Sequence, residues 1–170
     1  MIYFSGFGFK NESELFDKYI LKSDFTVAGF SYGAIKAFEE VKKRKKRVDT
    51  LQLFSPTFFQ NRDEKFRRVQ LLSYKKDKKR HLDNFYKAAI YPLDIEIEKY
   101  KKEPAFEELD ELLYYKWEEE DLKKLVQKGV KIEVFLGKLD KIIETKKVYD
   151  FFINFATIYW FNNSGHIIRS

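Results

Sequence analysis

Short apolar runs alternate along the chain with stretches whose apolar residues recur at helical spacing. Five runs predict strands: MIYFS (1–5), DFTVAGF (24–30), LQLFSP (51–56), VKIEVFLG (130–137) and ATIYWF (156–161). Ile35, Phe38 and Val41 predict a helix after the second run, and residues 145–155 predict another before the last run. Apolar strands alternating with helices are typical of a mostly parallel sheet covered on both faces. We therefore expect an α/β fold with a small, mostly parallel sheet flanked by helices.

The loop after the first strand contains two glycines and a predicted helix start. Gly6 and Gly8 interrupt the apolar run, and Asn11 follows with Glu14 three residues later. Asparagine is a favoured N-cap, and a glutamate at this distance completes a capping box. A capped helix is therefore expected from Asn11 onward.

Residues 58–129 are charge-rich and helical in pattern. Phe66, Val69 and Leu72 lie three residues apart, and similar spacing recurs further on at Phe106, Leu109, Leu112 and Leu113. After Gly129 the alternation of strand and helix resumes. We expect residues 1–170 to form a single domain with a helical lid insertion at about 58–129.

A G-x-S-x-G motif, Gly29-Phe30-Ser31-Tyr32-Gly33, lies between a predicted strand and a predicted helix. In that context the serine occupies a strained turn and acts as a nucleophile. The two glycines let strand and helix approach too closely for a β-carbon. Taken alone, the pentapeptide could also be an ordinary tight turn between strand and helix.

A nucleophilic serine requires a base and an acid. His166 follows the last predicted strand, whereas the other histidine, His81, lies in the charged insertion. Asp140 follows the fourth predicted strand, so Ser31, Asp140 and His166 occur in the chain order that hydrolases with this motif use. We predict these three as catalytic residues, the alternative being that Asp140 caps a helix and His166 is a surface residue. Three other carboxylates remain as alternative acids, although none follows a strand as directly: Asp121, Asp94 and Glu144.

Backbone amides must also stabilise the negative charge that develops on the substrate oxygen. The expected donors are the amide of Tyr32, which follows the serine, and the amide of Phe7 in the SGFG loop. That loop could also indicate nucleotide binding, but it lacks a third glycine and a later ribose-binding acid. We expect neither a metal nor a cofactor.

Composition limits the setting in which this chemistry would occur. The chain has 170 residues, 44% of them hydrophobic, and no cysteine. Disulfides and thiolate chemistry are excluded, and a cytoplasmic location is expected. Neither a signal peptide nor a membrane segment is expected, because the first residues lack a basic leader and no apolar run approaches about 20 residues.

The motifs together resemble those of the short pimeloyl-acyl-carrier protein methyl ester esterases of biotin synthesis, in the α/β-hydrolase superfamily. The segments that carry the resemblance are FSGFGFKNES, GFSYGAIKA, LFSP, DNFYK, KGVKIEVFLGKLD and NNSGH. The resemblance implies hydrolysis of the methyl ester of pimeloyl-acyl-carrier protein to methanol and the free pimeloyl carrier. It implies Ser31 as nucleophile with Asp140 and His166 as its partners, and the amides of Phe7 and Tyr32 as oxyanion donors. The chain lacks the usual first strands of longer hydrolases, so a small sheet is expected.

Positive charge is concentrated in two regions of a chain whose formal net charge is +6. Residues 62–102 contain 13 Lys or Arg against 7 Asp or Glu, which suits an acidic carrier protein. The candidate carrier-binding residues are Arg62, Arg67, Arg68, Lys75, Lys76, Lys78, Lys79 and Arg80. These charges could equally serve only to solvate helices. The run KKRKKR at 42–47 could attract nucleic acid, but it ends a predicted helix, where cations complement the helix dipole, so nucleic acid is not expected.

Two other functions remain open from the sequence. One is a general small carboxylesterase or thioesterase that uses the same triad on a free substrate. The other is a non-catalytic protein that binds an acidic partner on a hydrolase scaffold. The sequence does not predict the oligomeric state.

Overall fold

The computed structural model describes residues 1–169, in which five parallel strands form one sheet in the order β1-β2-β3-β4-β5. The strands are β1 (Ile2–Phe4), β2 (Thr26–Phe30), β3 (Thr50–Phe54), β4 (Lys131–Gly137) and β5 (Thr157–Phe161). The six α-helices of these residues are α1 (Tyr32–Lys43), α2 (Glu64–Lys76), α3 (Lys78–Ile90), α4 (Phe106–Tyr114), α5 (Glu119–Gln127) and α6 (Thr145–Phe152). The strands coincide with the five apolar runs, so the expected small α/β fold with a parallel sheet is confirmed.

Each face of the sheet has its own apolar core, because successive side chains of a strand point to opposite faces. On one face, strand residues such as Leu53 and Val134 pack with residues of three helices, among them Phe38, Leu122 and Phe152. On the other face, the rings of Phe54 and Phe135 stack with their centroids 4.4 Å apart. The inner strands are buried on both faces, which explains why their sequences are continuous apolar runs.

Helices α2 to α5 lie between β3 and β4 in the chain, and we refer to this helical segment as the insertion. Trp117 is 2% exposed, and its indole nitrogen donates to the Thr57 carbonyl at 2.9 Å. Arg67 donates to the carbonyl oxygens of Phe59 and Leu113, both at 3.1 Å. The contacts with Thr57 and Phe59 hold the insertion against the loop that follows β3. Within residues 1–169, none of the helices is long and apolar enough to cross a membrane.

The predicted capped helix after the glycine loop is wrong. Asn11 has φ 55 and its side chain caps nothing, and a short 3₁₀ helix, Glu12–Phe16, follows it. Glu14 turns outward to the side chains of Lys99 and Tyr100 instead of reaching back to Asn11. Glu12, which the sequence pattern did not single out, is fully buried.

Two details of the helical interpretation also change. Val69 and Leu72 are 51% and 63% exposed, so the apolar spacing in α2 identified a helix but not its buried face. Helix α1 ends at Lys43, because Arg44 has an extended backbone conformation. The last bases of the 42–47 run therefore lie outside the helix.

Candidate active site

Ser31 lies at the turn from β2 to α1 with φ 54 and ψ −117, a conformation that few non-glycine residues adopt. A β-carbon at Gly29 would lie 2.1 Å from the Gly33 carbonyl oxygen. A β-carbon at Gly33 would lie 2.0 Å from the carbonyl oxygen of Phe4. The prediction that strand and helix approach too closely for side chains at these two glycines is therefore confirmed.

The structure brings Ser31, Asp140 and His166 together. His166 Nε2 lies 2.9 Å from Ser31 Oγ, and His166 Nδ1 lies 2.7 Å from Asp140 Oδ2. Ser31 is 1% exposed, and the side chains of His166 and Asp140 are fully buried. In this arrangement the Nδ1–H group can donate to Asp140 while Nε2 accepts the serine proton.

Backbone amides hold the Asp140 carboxylate in place. Oδ1 accepts hydrogen bonds from the amides of Ile142 and Ile143 at 2.7 and 3.1 Å. Oδ2 is thereby left to face the histidine. The aspartate therefore holds its own loop and contacts His166 at the same time, but it does not cap α6, whose N-cap residue is Glu144.

Ser55 is a supporting residue that sequence reasoning missed. Its hydroxyl donates to the carbonyl oxygen of His166 at 2.7 Å, and its backbone has φ 42. Ser55 directly follows β3, at the same edge of the sheet as the triad. A serine in that position was the available signal, but its partner is 111 residues away in the chain.

The amides of Phe7 and Tyr32 have no protein acceptor within the described part of the chain. Tyr32 is the first residue of α1, where helix amides lack intrahelical acceptors and the helix dipole is positive. Phe7 lies in a turn closed by a 3.0 Å hydrogen bond from the Phe9 amide to the Gly6 carbonyl. Both amides are therefore free to bind an anionic oxygen, and their role as oxyanion donors stays a prediction.

A cavity of about 410 Å³ opens beside Ser31, a size typical of small-molecule sites. Most of its wall comes from the helical insertion. The apolar lining residues include Phe7, Phe59, Phe66, Phe85, Leu109, Leu112, Leu113 and Ile142. Polar and charged side chains also line it: Thr57, Arg62, Gln70, Ser73, His81, Asn84 and Lys141. The insertion thus covers part of a space beside the serine whose wall is both apolar and polar.

His81 lines this cavity, but it is not the histidine that contacts Ser31. Its Nδ1 lies 3.3 Å from Ser73 Oγ, and burial lowers the pKa of His81 below its usual value. The alternative acids are also occupied elsewhere or exposed. Asp121 pairs with Lys42 at 2.7 Å, Glu144 pairs with Arg62 at 3.0 Å, and Asp94 is exposed.

The candidate carrier-binding residues separate into two groups. Arg62 pairs with Glu144, Arg67 has only 15% of its side chain exposed, and Lys78 pairs with Glu103. These three residues are engaged within the protein. The others are exposed: Arg68, Lys75, Lys76, Lys79 and Arg80.

A parallel sheet with a serine turn after one strand, and an aspartate and a histidine after two later strands, is the architecture of the α/β-hydrolases. Comparison with solved structures agrees, and the chain has the α/β-hydrolase fold. No protein-family model matches the sequence, and no curated protein sequence matches it.

Three similar structures show how much of this fold the chain contains. An esterase from Exiguobacterium antarcticum, EaEST, has a TM-score of 0.66 and 17% identity over 91% of this chain and 63% of its own. MenH from S. aureus has a TM-score of 0.66 and 12% identity over 97% of this chain and 85% of its own. BioG from Haemophilus influenzae has a TM-score of 0.62 and 13% identity over 98% of this chain and 88% of its own. The chain thus spans less than two thirds of the Exiguobacterium esterase.

Proposed function

We propose that the protein is a serine hydrolase that cleaves carboxylic esters. The observation that carries this proposal is the unbroken hydrogen-bonded series from Asp140 through His166 to Ser31, with distances of 2.7 and 2.9 Å. All three side chains are buried beside a cavity that apolar and polar side chains line together. A positioned base and acid next to a serine at a strained turn are what nucleophilic catalysis requires.

The proposed reaction has two steps. Ser31 Oγ attacks the ester carbonyl while its proton passes to His166 Nε2, and the carbonyl oxygen becomes an oxyanion near the amides of Phe7 and Tyr32. The alcohol leaves with the proton from His166, and the acyl group remains on Ser31. His166 then takes a proton from water, whose oxygen attacks the acyl carbon. The carboxylic acid is released, and the proton returns to Ser31 Oγ.

The substrate that we propose is the methyl ester of pimeloyl-acyl-carrier protein, with methanol and the free pimeloyl carrier as products. The motifs that resemble this esterase class supply the first support. The structural likeness to BioG, a pimeloyl-acyl-carrier protein methyl ester esterase, supplies the second. The cavity beside Ser31 supplies the third, because the phenylalanine and leucine side chains in its wall can pack against an acyl chain.

The outer face of α2 supports a carrier protein as partner. Arg68 and Lys76 are exposed there, and between them lie Val69 and Leu72, which are 51% and 63% exposed. Exposed apolar side chains flanked by cations suit an acidic protein that also presents apolar residues. We refer to Arg68, Val69, Leu72 and Lys76 as the α2 outer face.

A paired assay tests the chemistry and the substrate separately. Purified protein is first treated with a fluorophosphonate probe, which labels only an activated serine. Labelling of Ser31 supports the hydrolase, and its absence favours the non-catalytic binding protein. The methyl ester of pimeloyl-carrier is then compared with free methyl pimelate. A preference for the carrier-linked ester in kcat/KM supports the carrier, and equal values favour a general carboxylesterase.

A further inference from the structure

Glu12 is a buried carboxylate that the proposed mechanism does not use. Its side chain is fully buried, and Oε1 accepts hydrogen bonds from the Gly6 amide at 2.9 Å and from the Tyr3 hydroxyl at 3.1 Å. Oε2 has no hydrogen-bond partner within residues 1–169. A buried carboxylate with only neutral donors and one unsatisfied oxygen costs stability. Its presence therefore calls for an explanation other than stability.

The location of the hydrogen bond between Glu12 and the Gly6 amide supplies that explanation. Gly6 immediately precedes Phe7, the residue whose amide is one of the two free donors beside Ser31. The Phe7 amide belongs to the Gly6–Phe7 peptide group, and the carbonyl of that group accepts the Phe9 amide at 3.0 Å. Glu12 thus binds the Gly6 amide, which lies just before the Gly6–Phe7 peptide group, and the turn binds the carbonyl of that peptide group.

Apolar packing also holds the SGFG loop in place. A β-carbon at Gly6 would lie 2.7 Å from the ring of Phe30, so the loop lies directly against β2. The Phe7 side chain is 3% exposed, and its ring contacts the Phe85 ring edge-on at 5.4 Å. Among residues 1–169, only Glu12 supplies a polar acceptor for the Gly6 amide.

We infer that Glu12 is a positioning residue for the oxyanion site: its carboxylate holds the Gly6 amide so that the Phe7 amide points to the reacting carbonyl. This inference rests on the proposed ester hydrolysis. Catalysis by oxyanion donors depends on their being fixed before the charge develops. The property that matters is the length of the Glu12 side chain, which lets its carboxylate accept from the Gly6 amide.

Two substitutions separate reach from charge. Glu12→Gln keeps an acceptor oxygen at the same distance, whereas Glu12→Asp keeps the carboxylate but shortens the side chain by one methylene. Activity towards p-nitrophenyl butyrate is normalised to the fraction of protein that the fluorophosphonate labels, so that misfolded protein does not count. We expect Glu12→Gln to keep kcat within about threefold and Glu12→Asp to lower it about tenfold, with KM unchanged in both.

A tetrahedral adduct gives a readout that a purely structural role would not change. Hexyl trifluoromethyl ketone forms a hemiketal with the serine, whose oxyanion occupies the same site. Its affinity should weaken in Glu12→Asp by the same factor as kcat/KM. An unchanged kcat and hemiketal affinity in Glu12→Asp, or a loss confined to KM, would overturn the inference.

The wild-type protein provides a second test should Glu12→Asp not fold. In amide NMR, the Gly6 proton should be strongly protected from exchange in the free protein, and the Phe7 proton should shift downfield when the hemiketal forms. Rapid exchange at Gly6 would contradict the inference. A wild-type protein that neither hydrolyses the ester nor reacts with the fluorophosphonate would refute the proposed function, and the inference with it. Failure of the Glu12 prediction in an active enzyme would refute the inference alone.

Discussion

Ser31 has a positive φ that is required for the position of its hydroxyl and is unfavourable for the backbone. Glycine adopts such conformations without a β-carbon clash, whereas alanine is as strained as serine. We expect Ser31→Gly and Ser31→Ala both to abolish ester hydrolysis. Ser31→Gly should be more stable than Ser31→Ala by about 1 kcal/mol, or about 3 °C in Tm. Thermal unfolding of the two variants measures this, and a lower Tm for the glycine variant would contradict it.

The two histidines offer a matched comparison, because both line or contact the same site. We expect His166→Ala to lower kcat by roughly four orders of magnitude, since triad residues act as a unit. His81→Ala removes a side chain that contacts Ser73 and not Ser31, so its effect on kcat should be less than about tenfold. Steady-state kinetics with one small ester test both variants, and equal losses would leave the base unassigned.

His81 should also make the protein sensitive to acid. Burial lowers the pKa of His81, so the unfolded chain binds a proton at a higher pH than the folded protein does. Stability is then greatest above the unfolded value of about 6.5 and is lost as the pH falls through the folded pKa. We expect His81→Gln to lose less Tm than the wild type between pH 7 and pH 5. Equal losses in the two proteins would show that His81 does not contribute.

Among single residues, the sequence identified those that belong to a motif and missed those whose role depends on a hydrogen bond formed in the folded protein. Ser31, Asp140 and His166 were predicted because each follows an apolar run in a chain order that this motif requires. Glu12 and Ser55 carry no such mark. The partner of Ser55 lies 111 residues away in the chain, and Glu12 reaches an amide six residues before it across a loop that has no periodic pattern.

Helices and strands could be predicted from the sequence where burial determines the order of apolar and polar residues. The five strands appear in the sequence as apolar runs because the sheet is covered on both faces. The prediction of a capped helix after Asn11 was wrong because Asn11 adopts a left-handed backbone conformation, which removes its capping geometry. In α2 the helical spacing predicted the helix but did not show which face is buried, because Val69 and Leu72 lie on its outer face. Periodicity alone does not tell an apolar face that packs inward from one that is exposed.

Helix α3 contacts the SGFG loop directly through Tyr86. The Tyr86 hydroxyl donates to the Gly8 carbonyl at 2.6 Å, and burial raises the pKa of Tyr86 to about 12, so it stays a donor at physiological pH. We expect Tyr86→Phe to lower stability by about 1 kcal/mol and kcat by a few-fold, because Gly8 adjoins Phe7. Unfolding in urea and kinetics with a small ester measure these effects.

Tyr114→Phe is the matched control for this prediction. Tyr114 is 39% exposed and donates to Glu64 on the surface. Its loss should change neither stability nor kcat measurably. If the two variants behaved alike, the insertion would not influence the loop through Tyr86.

For the whole molecule, the distribution of charge predicts how a carrier would associate. We expect reversal of Arg68 and Lys76 to glutamate to raise KM for the carrier-linked ester by about tenfold and to leave a small ester unaffected. The same reversal at Lys45 and Lys46, which are exposed outside α1, is the control and should have little effect on either substrate. Added salt should raise the KM of the wild-type protein for the carrier-linked ester, because salt screens exposed charges such as Arg68 and Lys76. A double variant with wild-type KM at low salt would exclude the α2 outer face as the docking site.

The sheet has a further consequence for the life of the chain during translation. Its strands lie side by side in the order in which they are synthesised, and 135 residues separate Ser31 from His166. At about 5–20 residues per second, the ribosome needs between about 7 and 27 seconds to pass from the serine codon to that of its partner. The first three strands and the serine turn can assemble within that interval, but the serine has no imidazole to take its proton. If the proposed triad operates, we expect a nascent chain to be inert towards esters until synthesis has passed His166.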